Sequence, residues 1–430
     1  MEQVARNSSQ ESHHSYIICI IAPGNLASNP RVVKEASALR EAGYDVRTIM
    51  ASPFEHFAQF DQDIIASAPW QIIQVGRVRL SGRLLQMVAF AAVRFLAATK
   101  RAIPLSLAGL ASAAQSAQLT RAALATPAHL YIAHYIGALP AAAAAAKKHS
   151  ALLGFDAEDF HSGEHPDDAE DPAQTALTTR IESALLPQCA HLTTSAPLIS
   201  SAYNSLYGVN PVTVLNVLAL SNSGVHSATL NECIRVGEFS VYWFSQTIGL
   251  DRGLQAFIEA MTLTKSRIRL VIRGHDPWGN GRVLLEMAHR LGVSDRVQLL
   301  SLAPPEQMLE LAAEHSLGLC LESGTSASRR YCLTNKIFTY LAAGIPVLMS
   351  DTPAQTLLAS QLSDAAAIIS LSEPQQIAHA VDRWALAPSL YDQARATARR
   401  LAKERFSWEK EKTVLLESVA HALESGQQVS

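Results

Sequence analysis

Leu333-Thr-Asn-Lys-Ile-Phe-Thr-Tyr-Leu-Ala-Ala-Gly-Ile-Pro-Val-Leu-Met-Ser-Asp351 reads as a short helix running into a buried strand. Thr334 or Asn335 can accept a hydrogen bond from the free N–H groups of the first helical turn. Ile337, Phe338 and Leu341 recur on one helical side and give it a face to bury. Gly344 suits the left-handed residue after a helix, Pro346 cannot continue one, and Val347 to Ser350 is an apolar run of strand length. Lys336 stands in the first turn, where unpaired donors and the positive end of the helix dipole favour an anion such as phosphate. Such a unit fits any α/β protein, so the surrounding chain has to decide.

Working upstream, Phe239–Phe244, Arg267–Arg273, Val297–Leu300 and Leu317–Glu322 read as strands, separated by helical periodicity at 253–261, 283–291 and 305–315. A separate set opens at Tyr16-Ile-Ile-Cys-Ile-Ile-Ala22, a strand closed by Pro23-Gly24-Asn25. Ser28 or Asn29 can cap the helix that follows, Pro30 fits its first position, and Gly43 ends it before a strand at Asp45–Met50. Further strands are expected at Leu130–His134, 151–156, Cys189–Thr194 and 212–215, with helices at 137–149 and 174–187. Strands alternating with helices imply parallel sheets. Two consecutive sets predict an α/β chain of two doubly wound, Rossmann-like domains facing across a cleft, with ligands at the carboxyl ends of the strands. The expected boundaries are a disordered tail at 1–14, a first domain at 15–216, a linker at 217–235, a second domain at 236–406 and a long charged helix at 407–430. The first loop lacks the GxGxxG spacing of a dinucleotide fingerprint, which argues against an NAD enzyme.

At 430 residues the chain exceeds one compact core. With 48% hydrophobic and 6% aromatic residues it has the profile of a helix-rich α/β enzyme. Charges of both signs run along a chain of net charge −3, without the basic footprint of a nucleic-acid binder. Five widely spaced cysteines without a CxxC pair read as reduced, buried thiols, which points to the cytoplasm. The polar start carries no signal-peptide or anchor pattern. Residues 84–110 are rich in Leu, Ala and Phe, but Arg94, Lys100, Arg101 and Pro104 interrupt them before a membrane span accumulates. An ordinary buried or partly buried helix is favoured there over one lying on an anionic membrane surface, the latter being peripheral membrane contact. Oligomeric state leaves no trace in the sequence.

Asn29-Pro-Arg-Val-Val-Lys-Glu-Ala36 with Leu39 and Gly43 resembles the N-terminal signature of family 4 glycosyltransferases. Trp243-Phe-Ser-Gln-Thr-Ile-Gly-Leu-Asp-Arg252-Gly253 with Glu259-Ala260 is similar to their first C-domain strand, loop and helix, and Val271-Ile-Arg-Gly274 to the next strand end. Asn335-Lys336 through Asp351 resembles their donor-site helix and strand, so the likeness covers nearly the whole chain. It implies the GT-B fold, a nucleotide-sugar donor held by the C-terminal domain and a hydroxyl acceptor on the N-terminal one. It also implies transfer with retention, no metal and no other cofactor, and a last helix crossing back to the first domain. Many relatives keep two glutamates at positions corresponding to Tyr331 and Thr339 here, so this chain resembles the group with an Asn-Lys helix start instead.

On that resemblance Arg252 and Lys336 hold the donor diphosphate, because cations near a developing dianion lower the barrier most when desolvated. Gly274 lets the backbone approach the donor, and Thr339 or Asn335 takes over the ribose. Glu322 is either an acceptor of sugar hydroxyl hydrogen bonds or a surface carboxylate, and Arg329-Arg330 either meet phosphate or are solvated. His134 matches a family histidine close to the reacting sugar, where a neutral imidazole can bond a hydroxyl. Asp159 or Glu158 can position an acceptor hydroxyl or act as base, within a loop Asp156–His161 that lines the reacting end with Gly24 and Asn25. The carboxylate-rich run to Asp171 has no metal-ligand spacing and reads as an exposed acidic loop, in the manner of a lid. Two rivals share the fold: a sugar-nucleotide epimerase and a non-catalytic nucleotide-sugar-binding subunit.

Overall fold

The computed structural model describes residues 16–220 and 239–427, apart from 77, 79 and 170. The tail expected at 1–14, most of the linker expected at 217–235, and Cys233 lie outside the described residues. The chain forms two compact units. The first runs to Val214 and takes in Ser326–Ser328 and the residues from Lys412 onward; the second comprises Leu215–Thr325 and Arg329–Glu411.

In the first unit, β1 (Ile17–Ala22), β2 (Asp45–Met50), β3 (Gln71–Gln74), β4 (Leu130–His134), β5 (Leu152–Ala157), β6 (Cys189–Thr194) and β7 (Val212–Thr213) form one parallel sheet. The strand order is β3-β2-β1-β4-β5-β6-β7. β1 is central and buried on both faces, which is why it reads as an unbroken apolar run rather than an alternation. It pairs with β2 on one side and β4 on the other, so the winding reverses there and a switch point opens at their carboxyl ends. The helix Pro30–Glu41 between β1 and β2 starts as its residues dictate: Asn29, not Ser28, accepts the Val32 N–H at 3.3 Å, and Pro30 takes the first position. The final helix, Trp408–Gln427, sends Val419 and Leu423 into the core of this unit beside Ile20 and Leu130.

In the second unit, β8 (Phe239–Thr247), β9 (Ile268–His275), β10 (Val297–Leu300), β11 (Leu317–Cys320), β12 (Val347–Ser350) and β13 (Ala366–Ile369) are again all parallel. Their order, β10-β9-β8-β11-β12-β13, sets a second switch point between β8 and β11. These are the two Rossmann-like sheets that the alternation requires. The sequence pattern does not distinguish β3, β13 or the helices Pro374–Ala385 and Pro388–Glu404.

The opening stretch folds as helix Asn335–Ala342 followed by β12. The helix is pinned to the sheet by Tyr340, whose hydroxyl donates to the carbonyls of Tyr242 at 3.0 Å and Leu319 at 3.3 Å. Its ring fills the space over Gly318, where any Cβ would collide with it. Gly344 takes φ +69°, and Gly344 N–H and Ile345 N–H return to the carbonyls of Leu341 and Tyr340, closing the helix as expected for glycine at that place.

The apolar stretch near 84–110 is less interrupted than expected: it forms a partly buried 19-residue helix, Leu80–Ala98, long and apolar enough by length and composition to cross a membrane, with Ala89 and Val93 its buried residues. Arg94 falls inside it without ending it, and Lys100, Arg101 and Pro104 come after its end.

Candidate functional site

At the switch point of the second unit, Glu322 follows β11 with 1% of its surface exposed. Burying a lone carboxylate is costly, so its neighbours decide its state. Arg252, in the loop after β8, reaches both carboxylate oxygens through one terminal nitrogen, at 2.9 and 3.3 Å. Arg329 stands 3.5 Å from the same carboxylate and Lys336 Nζ 3.8 Å. Lys336 is itself buried, and its ammonium sits 5.9 Å from the centroid of the Trp243 ring. The half-exposed Asp251 adds one more carboxylate, 3.6 Å from Arg252 Nε. Three cations against two carboxylates leave the pocket positive, a seat for a multiply charged anion.

The helix start beside these cations is open. Thr334 occupies the cap position, but its hydroxyl pairs with the Cys320 thiol at 3.1 Å and no side chain caps the first turn. The expected cap by Thr334 or Asn335 is therefore not made, because Cys320 at the end of β11 competes for the hydroxyl. The first-turn N–H groups of Asn335 and Lys336 and the Asn335 amide make no hydrogen bond among the described residues, which suits them to a ligand. Burial pushes the Cys320 thiol up to about 11 against the pull of Lys336, so it stays a neutral partner.

The other donor-side candidates divide. Thr339 is buried and donates its hydroxyl to the Asn335 carbonyl one turn back, at 3.0 Å. Gly274 has a packing reason: a Cβ there would lie 3.0 Å from Ile248 Cγ1 and from the Ser245 carbonyl oxygen. Glu322 is a buried carboxylate rather than a surface one, and half-buried Arg252 is paired with it. Arg330 turns away and donates to the Gly324 carbonyl at 3.0 Å.

At the carboxyl ends of β4 and β5 in the first unit lies a buried ionic chain. His134 and Asp156 are register partners on adjacent strands. Arg31 grips Asp156 with two parallel bonds of 2.7 and 2.8 Å and donates to the Val214 carbonyl at 2.7 Å. Thr193 donates to the same carboxylate at 2.9 Å. His134 Nε2 meets Glu35 at 2.5 Å, and its Nδ1 lies 3.3 Å from Asp156. Burial opposes charging of His134, but its hydrogen bond to Glu35 and the two carboxylate charges raise its pKa. Burial likewise opposes ionisation of Asp156, yet Arg31 and His134 hold its carboxyl well below the usual range. In place of the free neutral imidazole expected at His134, the ring is held between two carboxylates that favour its charged form, and Asp156 is engaged by Arg31 rather than turned to an acceptor. His191, 3.8 Å from Glu35, is pushed down by burial and stays neutral, with Ser418 at 3.0 Å.

His161 is not a free cleft residue either. It is buried, its Nδ1 meets Glu164 at 2.5 Å and its backbone N–H donates to the Tyr203 hydroxyl at 3.1 Å. Burial would lower its pKa, but the Glu164 hydrogen bond and the charges of Glu164, Glu182 and Asp159 push it up to about 9. Asn25 is buried and spends its amide on Asp61 at 2.6 Å and on the backbone of Phe54. Glu158 and Asp159, by contrast, are half-buried. Burial raises Glu158 against the pull of Arg31, and Asp159 and Asp156 raise it further. Gly24 has no packing reason to lack a side chain: its φ is not left-handed, and a Cβ there would meet only Ser28 Oγ, at 3.8 Å.

Sequence reasoning misses Arg31, Glu35, His191 and Thr193 as site-shaping residues. Arg31 and Glu35 are legible in principle. They stand one turn apart on the helix side that also carries Val32, Ala36 and Leu39, and charges on a buried apolar side need partners.

Residues 252–417 match the family model described as Glycosyl transferase-like. No curated protein sequence matches the chain. Among solved structures, Anabaena HepE in complex with UDP-glucose superposes with a TM-score of 0.70 at 14% identity, covering 94% of this chain and 99% of that one. Sucrose-phosphate synthase from Thermosynechococcus elongatus gives 0.69 at 13%, covering 95% and 100%. WaaG, a glycosyltransferase involved in lipopolysaccharide biosynthesis, gives 0.61 at 13%, covering 93% and 99%. The chain therefore has the GT-B fold of glycosyltransferases, and its C-terminal part is glycosyl transferase-like in sequence.

Proposed function

We propose that the chain is a glycosyltransferase that moves a sugar from a nucleoside-diphosphate donor to a hydroxyl acceptor with retention of configuration. The observation that carries this is the positive pocket of Arg252, Arg329 and Lys336 around buried Glu322, beside the uncapped start of helix Asn335–Ala342. A diphosphate fits that charge, and the UDP-glucose complex of a structure with the same fold supports a nucleotide sugar as its source. Asn335-Lys336 then stands in for the two-glutamate arrangement, as in one group of family 4 enzymes. Asn335 is the better ribose ligand, since its amide is open while the Thr339 hydroxyl is turned into its own helix.

In the reaction the acceptor oxygen attacks the anomeric carbon on the face from which the diphosphate leaves. The bond from that carbon to phosphate breaks with its electron pair going to the phosphate oxygen, which takes the acceptor proton. Arg252 and Lys336 stabilise the growing charge. Half-buried Asp159 and Glu158 are the first-unit groups we assign to the acceptor hydroxyl, with Gly24 giving room for close approach. His134 becomes a positioning residue, since both ring nitrogens face carboxylates. The four described cysteines are free thiols, which supports a reducing, cytoplasmic setting.

The test is a thermal-shift and calorimetric screen of UDP-, GDP- and ADP-sugars, followed by transfer assays on the donor that binds. Donor binding with product of retained configuration is expected. Binding without turnover on any acceptor would leave a nucleotide-sugar-binding subunit, donor conversion without acceptor would indicate an epimerase, and no binding would remove the reading.

A further inference from the structure

Helix Leu80–Ala98 packs by one side only. That side carries Gly82, Gln86, Ala89 and Val93 and meets the helices Leu105–Ser112 and Pro172–Leu185. A Cβ on Gly82 would fall 2.6 Å from the Ala114 carbonyl oxygen, and Gln86 donates to the Ala111 carbonyl at 3.3 Å. The opposite side holds Leu80, Leu84, Met87, Val88 and Phe95 at helical spacing, each 53–75% exposed. This inverts the pattern of a soluble surface helix, whose polar face looks outward.

The charge along this part of the sequence is one-sided, and in space Asp171 comes within 3.5 Å of Arg94. Between Asp63 and Asp156 every charged residue is a lysine or arginine, although the whole chain has a net charge of −3. At 100° per residue, Arg83 and Arg94 border one edge of the stripe, and Lys100 and Arg101 are exposed just beyond the helix end. The reading that charges of both signs are mixed throughout therefore fails for this segment.

We infer that helix Leu80–Ala98 lies flat on an anionic lipid bilayer, its outer stripe in the acyl boundary and the flanking basic residues on lipid phosphates. A spanning arrangement would carry Arg83, Gln86 and Arg94 into hydrocarbon and strip the inner side from its packing. A second copy seated on the same face would set basic residues against basic residues. A nucleic acid would leave the apolar stripe in water. The surface stands on exposure and charge alone and needs no donor chemistry. Combined with the proposed transfer reaction, and resting on it, the surface points to a lipid-linked hydroxyl as the acceptor.

The test is flotation of the full chain with vesicles of phosphatidylcholine alone or mixed with phosphatidylglycerol. Flotation with the anionic vesicles only, weakened by salt, is expected. Leu84→Asp with Phe95→Asp should cut partitioning about tenfold or more, and Arg83→Ser or Lys100→Ser about fivefold each. These positions are exposed, so melting temperature and circular dichroism should not change. Absence of flotation, flotation unchanged in the Asp variant, or a dimer that the Asp variant dissociates would each overturn the proposal. Since no donor is present, such a failure leaves the glycosyltransferase reading to its own test.

Discussion

Lys336→Met is the sharpest perturbation of the donor pocket, because methionine keeps the unbranched apolar stem beside Trp243 and removes only the charge. The ammonium is 3.8 Å from Glu322 Oε1 with its side chain 6% exposed. A phosphate oxygen at about 4 Å would gain on the order of 4 kcal/mol from it at an effective dielectric constant of about 20. Part of that field is offset by Glu322, and Arg252 keeps its 2.9 Å contact in the variant. A loss of about 2–4 kcal/mol follows, which is roughly 30- to 1000-fold in kcat/KM. Because charge on the leaving diphosphate grows as its bond breaks, kcat should fall further than nucleoside-diphosphate affinity. Steady-state transfer kinetics, calorimetry with UDP and a melting curve separate these effects. A folded variant with kcat/KM within threefold of the parent would refute the assignment of Lys336 to the diphosphate.

Two further outcomes concern the first unit. Asp156→Asn leaves Arg31 buried without a charged partner, so stability should fall by about 3–5 kcal/mol, read by urea unfolding. An effect under about 1 kcal/mol would mean that Arg31 finds another partner. His161 has its folded pKa raised to about 9, so its contribution is fully present below its unfolded value near 6.5 and is lost as pH rises through 9. Between pH 6.5 and 9.5 the parent should therefore lose up to about 3 kcal/mol more stability than His161→Gln, and equal losses would contradict the raised pKa.

Local signals that depend on one residue's backbone are legible in the sequence. Gly344 can be read as a left-handed helix end and Pro30 as a first helical residue because only neighbouring atoms decide them. The periodicity behind the two sheets is legible for the same reason. What is lost is whatever depends on a partner far along the chain. Asp156 and Arg31 are 125 positions apart and His134 and Glu35 are 99, so nothing nearby reveals that these groups neutralise one another. Thr334 has the chemistry to cap its helix, but the competing thiol of Cys320 comes from a different strand. The stripe on Leu80–Ala98 escapes for another reason. Its periodicity is present, but apolar periodicity alone does not say which side is covered.

The two candidate regions differ in how their charge is balanced, and this divides the chemistry between them. In the first unit Arg31 and His134 are matched by Asp156 and Glu35, a paired set with little field left for a ligand. Such a buried set fixes the ends of β4 and β5, and so fixes the loop that carries Glu158 and Asp159. In the second unit Glu322 is outnumbered by Arg252, Arg329 and Lys336, and the adjoining helix start adds uncapped donors. Gathering three cations is unfavourable until an anion arrives, and the single buried carboxylate limits their repulsion in its absence. Glu322 is therefore best understood as the group that holds the cations in place, and Glu322→Gln should weaken diphosphate binding even though it removes a negative charge. Simple charge counting predicts the opposite sign, so calorimetry of UDP on this one variant decides between an organised cluster and a mere positive surface.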